Sequence, residues 1–327
     1  MSLLVLAKSL ARRVDAWFYA PAPPERSALL RIFVGAYAVV FLLARGAHLN
    51  RVTSYPSAAF APVGPVSVLD APLAPSLVYT LYAASVVTGV AFTLGWSARV
   101  LAPTFALLLL WVTSYRHSWG MIFHTDNLLV LHVLLLAFSP SAHALAWSPP
   151  WRPRPPSAPP PLNAPTAHGR YGWAARTMAL VTIATYVIAG IAKLENTGLH
   201  WAFGDALREQ IAYDAVRKIE LGSVSSPLAP WLVRMPWLFP PPAAFTLAVE
   251  LLAPLALLGT RFAVAWSAAA WAFHFGVLAA MAIVFPYPLS GCAFLCLLPV
   301  EKLREAALVR RLGARWSRLR PRPLDAH

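Results

Sequence analysis

Charge is scarce in this chain. Asp, Glu, Lys and Arg make up 12% of its 327 residues, against 58% hydrophobic residues. Soluble domains carry about 25% charge, so a water-soluble enzyme or solvated binding module is excluded. Cysteine is nearly absent, with only Cys292 and Cys296 present. That excludes a disulfide framework, and neither HExxH nor CxxC occurs, so no metal site is expected. The two cysteines, four apart in the last apolar segment, read as small core residues sharing a helix face. Acidic residues are outnumbered by basic ones, 13 to 27, for a formal net charge of +14. This excess does not read as a nucleic-acid surface, because the basic residues flank apolar runs. The first twenty residues do not read as a secretory signal either. The apolar stretch in the first twenty residues is short, and Arg12 and Arg13 follow it instead of preceding it.

What is present is hydrophobic length. Apolar runs able to cross ~30 Å of hydrocarbon recur near 28–44, 75–95, 100–115, 121–139, 173–193, 243–259, 263–284 and 286–300. Backbone polar groups in lipid must be satisfied within their own segment, so these runs should be helices. The expected fold is all-α, a polytopic integral-membrane helical bundle of about eight transmembrane helices. Lys8, Arg12, Arg13 and Arg26 precede the first run, and a basic tail at 301–327 follows the last. The positive-inside rule then places both termini in the cytoplasm. Leu3, Leu6, Leu10, Val14 and Trp17 recur at helical spacing, so residues 1–20 read as an amphipathic helix on the membrane surface. A proline-dense linker at 148–165 separates a first transmembrane half, 21–147, from a second, 166–300. Within the second half, 195–242 reads as an outer loop. Its stretch WAFGDALREQIAYDAVRKI is either a helix lying over the mouth of a site or a solvated connector.

Polar residues inside the apolar runs are few, which makes each informative. Arg31, near the inner end of the first run, is expected to snorkel to the surface. The segment TMALVTIATYVIAGIAK, 177–193, has no charge until Lys193 closes it. Either that lysine snorkels or it does chemistry. In apolar surroundings an ammonium is disfavoured, and an amine neutral near pH 7 is a general base. Tyr186, Gly190 and Lys193 form one stripe at i, i+4 and i+7. Glu250 is the only charge of its run, with Pro254 four residues on. It could pair with Lys193 or a histidine, or sit protonated in a structural role. His274 is flanked at helical spacing by Trp271 and Phe275, which suits an aromatic-lined pocket or a hydrogen-bonded core histidine. His124, Asn127 and His132 share roughly one face, with Asp126 pointing elsewhere. His124 reads as a proton acceptor or a structural histidine, and His132 as structural.

Four segments together carry a resemblance: LLRIFVGAYAVVFLLARGAHLNR, HTDNLLVLHVLLLAFSPSAHALAW, YVIAGIAKLENTGLHWAFGDAL, and LAVELLAPLALLGTRFAVAWSAAAWAFHFGVLAAMAIVFPYPLSGCAFLCLLP. In order and spacing the chain resembles the HTTM domain family, bacterial relatives of vitamin K-dependent gamma-glutamyl carboxylase, over roughly 25–300. The resemblance implies a bacterial inner-membrane enzyme using vitamin K hydroquinone (menaquinol-like), with O2 and CO2 as co-substrates and no metal. It implies that Lys193, in AGIAKL, is the base that deprotonates the hydroquinone. The oxygenated hydroquinone would then take a proton from the gamma carbon of a glutamate in a peptide or small protein. The carbanion would capture CO2, and an epoxide would leave. His124 and His274 join Lys193 as catalytic candidates. Tyr186, Gly190, Asn127, Glu250 and Trp271 are candidates for holding the cofactor. The eukaryotic carboxylase carries a bulky domain after its membrane part, whereas this chain runs only a short way beyond Pro299. The resemblance therefore covers hydroquinone oxygenation more directly than recognition of a long peptide. The implied partners are the lipid bilayer, the quinone and a glutamate substrate, with no nucleic acid. A non-catalytic protein binding a quinone or lipid is the alternative. A transporter is disfavoured by two dissimilar halves.

Overall fold

A computed structural model describes residues 3–120, 122–147 and 167–305. The linker expected at 148–165 and the tail beyond 305 lie outside the described residues. Among those described there is no β-strand, only an isolated bridge between Ala22 and His168. The helices are α1 (Leu3–Phe18), α2 (Pro24–Val52), α3 (Pro75–Leu94), α4 (Ala98–His117), α5 (His124–Ala137), α6 (Gly169–Thr197), α7 (His200–Phe203), α8 (Ala206–Glu220), α9 (Ala229–Leu232), α10 (Pro240–Leu251), α11 (Thr260–Met281) and α12 (Pro286–Leu289). Short 3-10 helices lie at Ala253–Leu258, Cys292–Leu297 and Val300–Glu305.

Among the described residues five helices are long and apolar enough to cross a membrane: α2, α3, α4, α6 and α11. The other three expected spans take different forms. α5 has 14 residues, about 21 Å at 1.5 Å per residue, short of a hydrocarbon core. The run at 243–259 breaks, because Pro254 has no N–H for the Glu250 carbonyl. α10 stops at Leu251 and a 3-10 helix continues. The run at 286–300 holds Pro286 and Pro288, and it divides into α12 and the 3-10 helix Cys292–Leu297. The two cysteines therefore do not share an α-helical face. Both are free, Cys296 buried and Cys292 half-buried.

One hydrophobic core runs through both halves, from Leu30 and Phe105 to Ile183, Trp266 and Phe294. α2 touches α3, α5 and α6, while α6 also packs on α10. A buried polar tie crosses the halves. His132 on α5 hydrogen-bonds through Nδ1 to Tyr287 Oη at 2.7 Å and through Nε2 to Thr182 Oγ1 at 3.1 Å. Arg31 does not snorkel. It is 1% exposed and donates to the carbonyls of Ser141 and Leu145, at 2.9 and 2.8 Å. Those carbonyls lie just past α5, where no helical N–H meets them. Gly95 makes room for the guanidinium. Its φ is +74°, and a Cβ there would stand 2.3 Å from Arg31 Nη1. On α1, Leu10 and Val14 of the apolar stripe are exposed, and the Arg176 guanidinium lies over the Trp17 ring.

Candidate functional site

α6 runs one turn beyond the expected end at Lys193, to Thr197. That turn brings Asn196 and Thr197 onto the stripe of Tyr186 and Lys193, at i+10 and i+11 from Tyr186. All four line a cavity of about 710 Å³ between α6, α10, α11 and the α7–α8 segment. Its walls are mostly apolar, with Leu128, Ala189, Phe273, Phe285 and Pro288 among them. Gln210 of α8 lines it too, so the helix expected over residues 201–219 contributes to the cavity wall.

Two polar pairs stand in this apolar space. Lys193 Nζ pairs with Glu250 Oε1. The lysine side chain is 20% exposed and the glutamate 3%. Glu250 Oε2 is buried with no hydrogen-bond partner among the described residues. The Trp201 ring faces the ammonium position at 5.1 Å from its centroid, and its indole Nε1 donates to Thr246 Oγ1 at 3.1 Å. A cation held over an aromatic face and against a carboxylate is fixed from two sides. The second pair is Tyr186 Oη and His274 Nε2, 2.6 Å apart. The Trp266 ring meets Tyr186 edge-on, and its Nε1 donates to the Val249 carbonyl at 2.8 Å, where α10 ends.

The sequence explains why Lys193 and Glu250 meet. Gly190 lies one turn before Lys193. A Cβ there would sit 3.0 Å from Glu250 Cβ and 2.9 Å from Leu251 Cδ2. Gly190 thus allows the close approach of α10 to α6, and it is not among the residues lining the cavity.

Of the residues singled out from the sequence, Lys193, Tyr186, Glu250 and His274 come together at this cavity. Asn127 and Trp271 do not. Asn127 is exposed, and the next residue, Leu128, is the one that reaches the cavity. Trp271 is also exposed, its Nε1 donating to the Leu289 carbonyl at 2.9 Å. The side chain of His124 lies outside the described residues. Its neighbour Asp126 is buried against Arg116 and, at 3.0 Å, His117 Nε2, forming a separate charged cluster at the α4–α5 junction. Sequence reasoning missed Trp201, Asn196 and Gln210 as site residues. Continuing the Tyr186–Lys193 stripe by one turn would have found Asn196. Trp201, on α7, and Gln210, on α8, belong to the 201–219 stretch whose periodicity suggested a helix over the mouth of a site, but that periodicity does not say which of its residues face the cavity.

Chemically, the cavity offers an apolar aromatic slot with an amine–carboxyl pair and a phenol–imidazole pair on its walls. No set of three or more His, Cys, Asp or Glu able to hold a metal is found among the described residues. Comparison with known proteins returns no matching family model, curated protein or solved structure.

Proposed function

We propose that the protein is a membrane-embedded enzyme that takes a proton from a lipid-soluble hydroquinone at Lys193 and drives its oxygenation to an epoxide, in the manner of vitamin K-dependent carboxylases. The observation that carries the reading is the placement of Lys193. Its amine stands beside a mostly apolar cavity of about 710 Å³, not in bulk solvent. That volume lies within the ~300–1,000 Å³ of small-molecule sites. The fit is chemical as well. Phe273, Phe285 and Trp201 suit a planar ring, and the polar pairs suit ring hydroxyls. A bound hydroquinone supplies the reducing equivalents for oxygen and the driving force for removing a carbon-bound proton. Lys193 accepts the hydroxyl proton, and the resulting ammonium faces the ring oxygen. Tyr186 and His274 orient the ring through their shared hydrogen bond. The apolar walls exclude water that would quench a carbanion before CO2 arrives. The reading extends to glutamate as carbon acid, to eight membrane-crossing segments counting the short and broken ones, and to an inner-membrane location with both termini cytoplasmic.

The test is incubation of the protein in lipid nanodiscs with reduced menaquinone, oxygen, labelled bicarbonate and a glutamate peptide. Epoxide and fixed label are read by mass spectrometry and scintillation. Wild type forms epoxide, and Lys193→Ala, still folded, does not. Equal epoxide from both proteins, or none from wild type, ends the proposal. A second reading, a non-catalytic quinone- or lipid-binding protein, is favoured by the Lys193–Glu250 contact, because an ammonium held by a carboxylate is no base. It predicts that bound quinone co-purifies and keeps its oxidation state.

A further inference from the structure

The contact that favours the passive reading can serve the catalytic one. Glu250 is almost wholly buried, yet one carboxyl oxygen has the single partner Lys193 and the other has none among the described residues. A carboxylate in apolar surroundings needs several donors to hold its charge. With so few, the charge-separated pair has little advantage over the neutral one, and displacing water from the cavity reduces that advantage further.

The geometry points to Glu250 as the internal proton store of the site: when a ligand fills the cavity, the proton on Lys193 Nζ passes to Glu250 Oε1 and frees the amine. An N–H bond breaks and an O–H bond forms within one hydrogen bond. The amine lone pair then takes the proton of the ligand hydroxyl, whose O–H bond breaks as a new N–H bond forms. The ligand oxygen keeps the electron pair and faces the ammonium. No oxidant or external base takes part. Glu250 acts through Lys193 and is a positioning residue. The identity of the ligand as a hydroquinone rests on the proposed function, whereas the proton transfer itself rests on the pair.

The transfer has a signature in pH. Ammonium–carboxylate and amine–carboxylic acid pairs hold the same number of protons, so the fraction of free amine does not change with pH while the pair holds one proton. Other ionisable groups on the surrounding elements are separately engaged or exposed. Tyr186 and His274 bond each other, His132 bonds Tyr287, Asp126 pairs with Arg116, and Asp214 of α8 pairs with Lys218. Glu195 and His200 are exposed.

The experiment reads Lys193 directly, without turnover. The intact protein in nanodiscs is treated with 1-naphthyl acetate, whose acyl group passes to a neutral amine as naphthol leaves. Acetylation at Lys193 is followed by peptide mass spectrometry against pH. Wild type should label at a nearly constant rate across the neutral range. Glu250→Gln keeps the size and the hydrogen-bond acceptor but cannot store the proton. Its labelling should rise about tenfold per pH unit below the midpoint of the amine's titration. Glu250→Asp should restore the flat profile at a lower rate. Parallel profiles in wild type and Glu250→Gln overturn the inference. Should Glu250→Gln not fold, a wild-type rate climbing about tenfold per unit overturns it equally. A flat wild-type profile without epoxide formation would instead remove the proposed function and leave the proton store standing.

Discussion

Replacing Lys193 by Met removes the only partner that Glu250 has among the described residues. Stranding one member of a buried ion pair costs about 3–5 kcal/mol. Lys193 keeps 20% of its side-chain surface, so water screens the pair and the loss falls to about 2–3 kcal/mol. Acidification should relieve part of it, because a protonated Glu250 is no longer a stranded charge. The double variant Lys193→Met, Glu250→Leu removes both charges and fills the space with carbon. It should return to within about 1 kcal/mol of wild type, giving a coupling of about 2 kcal/mol. Reversible unfolding in mixed micelles titrated with SDS measures all four corners of the cycle. A single variant losing less than about 0.5 kcal/mol, or two losses that simply add, would show that the contact carries no energy and refute the argument.

Three further outcomes follow from the same geometry. Gly190→Val should push α10 off α6, cost about 1–3 kcal/mol and separate Lys193 from Glu250, detectable as Lys193 acetylation that climbs with pH in place of the flat profile; a well-tolerated valine would deny the close approach. Arg31→Met should strand the carbonyls of Ser141 and Leu145 and cost about 2–4 kcal/mol in the same unfolding assay, whereas a snorkelling arginine would be replaceable at no cost. His143, in the turns after α5, is held below its ordinary pKa by burial, with the charges of Arg170 and Arg99 adding to the effect. Its neutral form is the folded one, so its contribution is complete above the unfolded value of about 6.5 and is lost as pH falls through the lower folded value. Stability should therefore decline on acidification from about pH 6.5, less steeply in His143→Phe, and equal slopes would contradict this.

Much of the site was legible because charge is so rare. Lys193, Tyr186, Glu250 and His274 each interrupt an apolar run, and the fold collects them around one cavity. Trp271 shows the limit of the method. α11 is apolar on every side, so spacing relates Trp271 to His274 without revealing which side meets protein and which meets lipid. Arg31 failed differently. Its acceptors come from residues more than a hundred positions later, and no local pattern announces them. The count of long helices fell to five among the described residues: two expected spans break at Pro254 and at Pro286 and Pro288, to which a hydropathy window is blind, and the third, α5, is only 14 residues long. The linker's proline density remained outside the reach of the structure.

The chain is pinned on either side of that linker. Trp147 donates its amide to the Leu94 carbonyl at 2.8 Å, and His168 donates to Ala22 at 3.0 Å. Between these anchors the halves already share a core and a buried histidine tie. Covalent continuity should thus be dispensable for holding them together once folded. Two separately synthesised fragments, divided within the proline-rich stretch, should find each other in the bilayer and rebuild the same cavity.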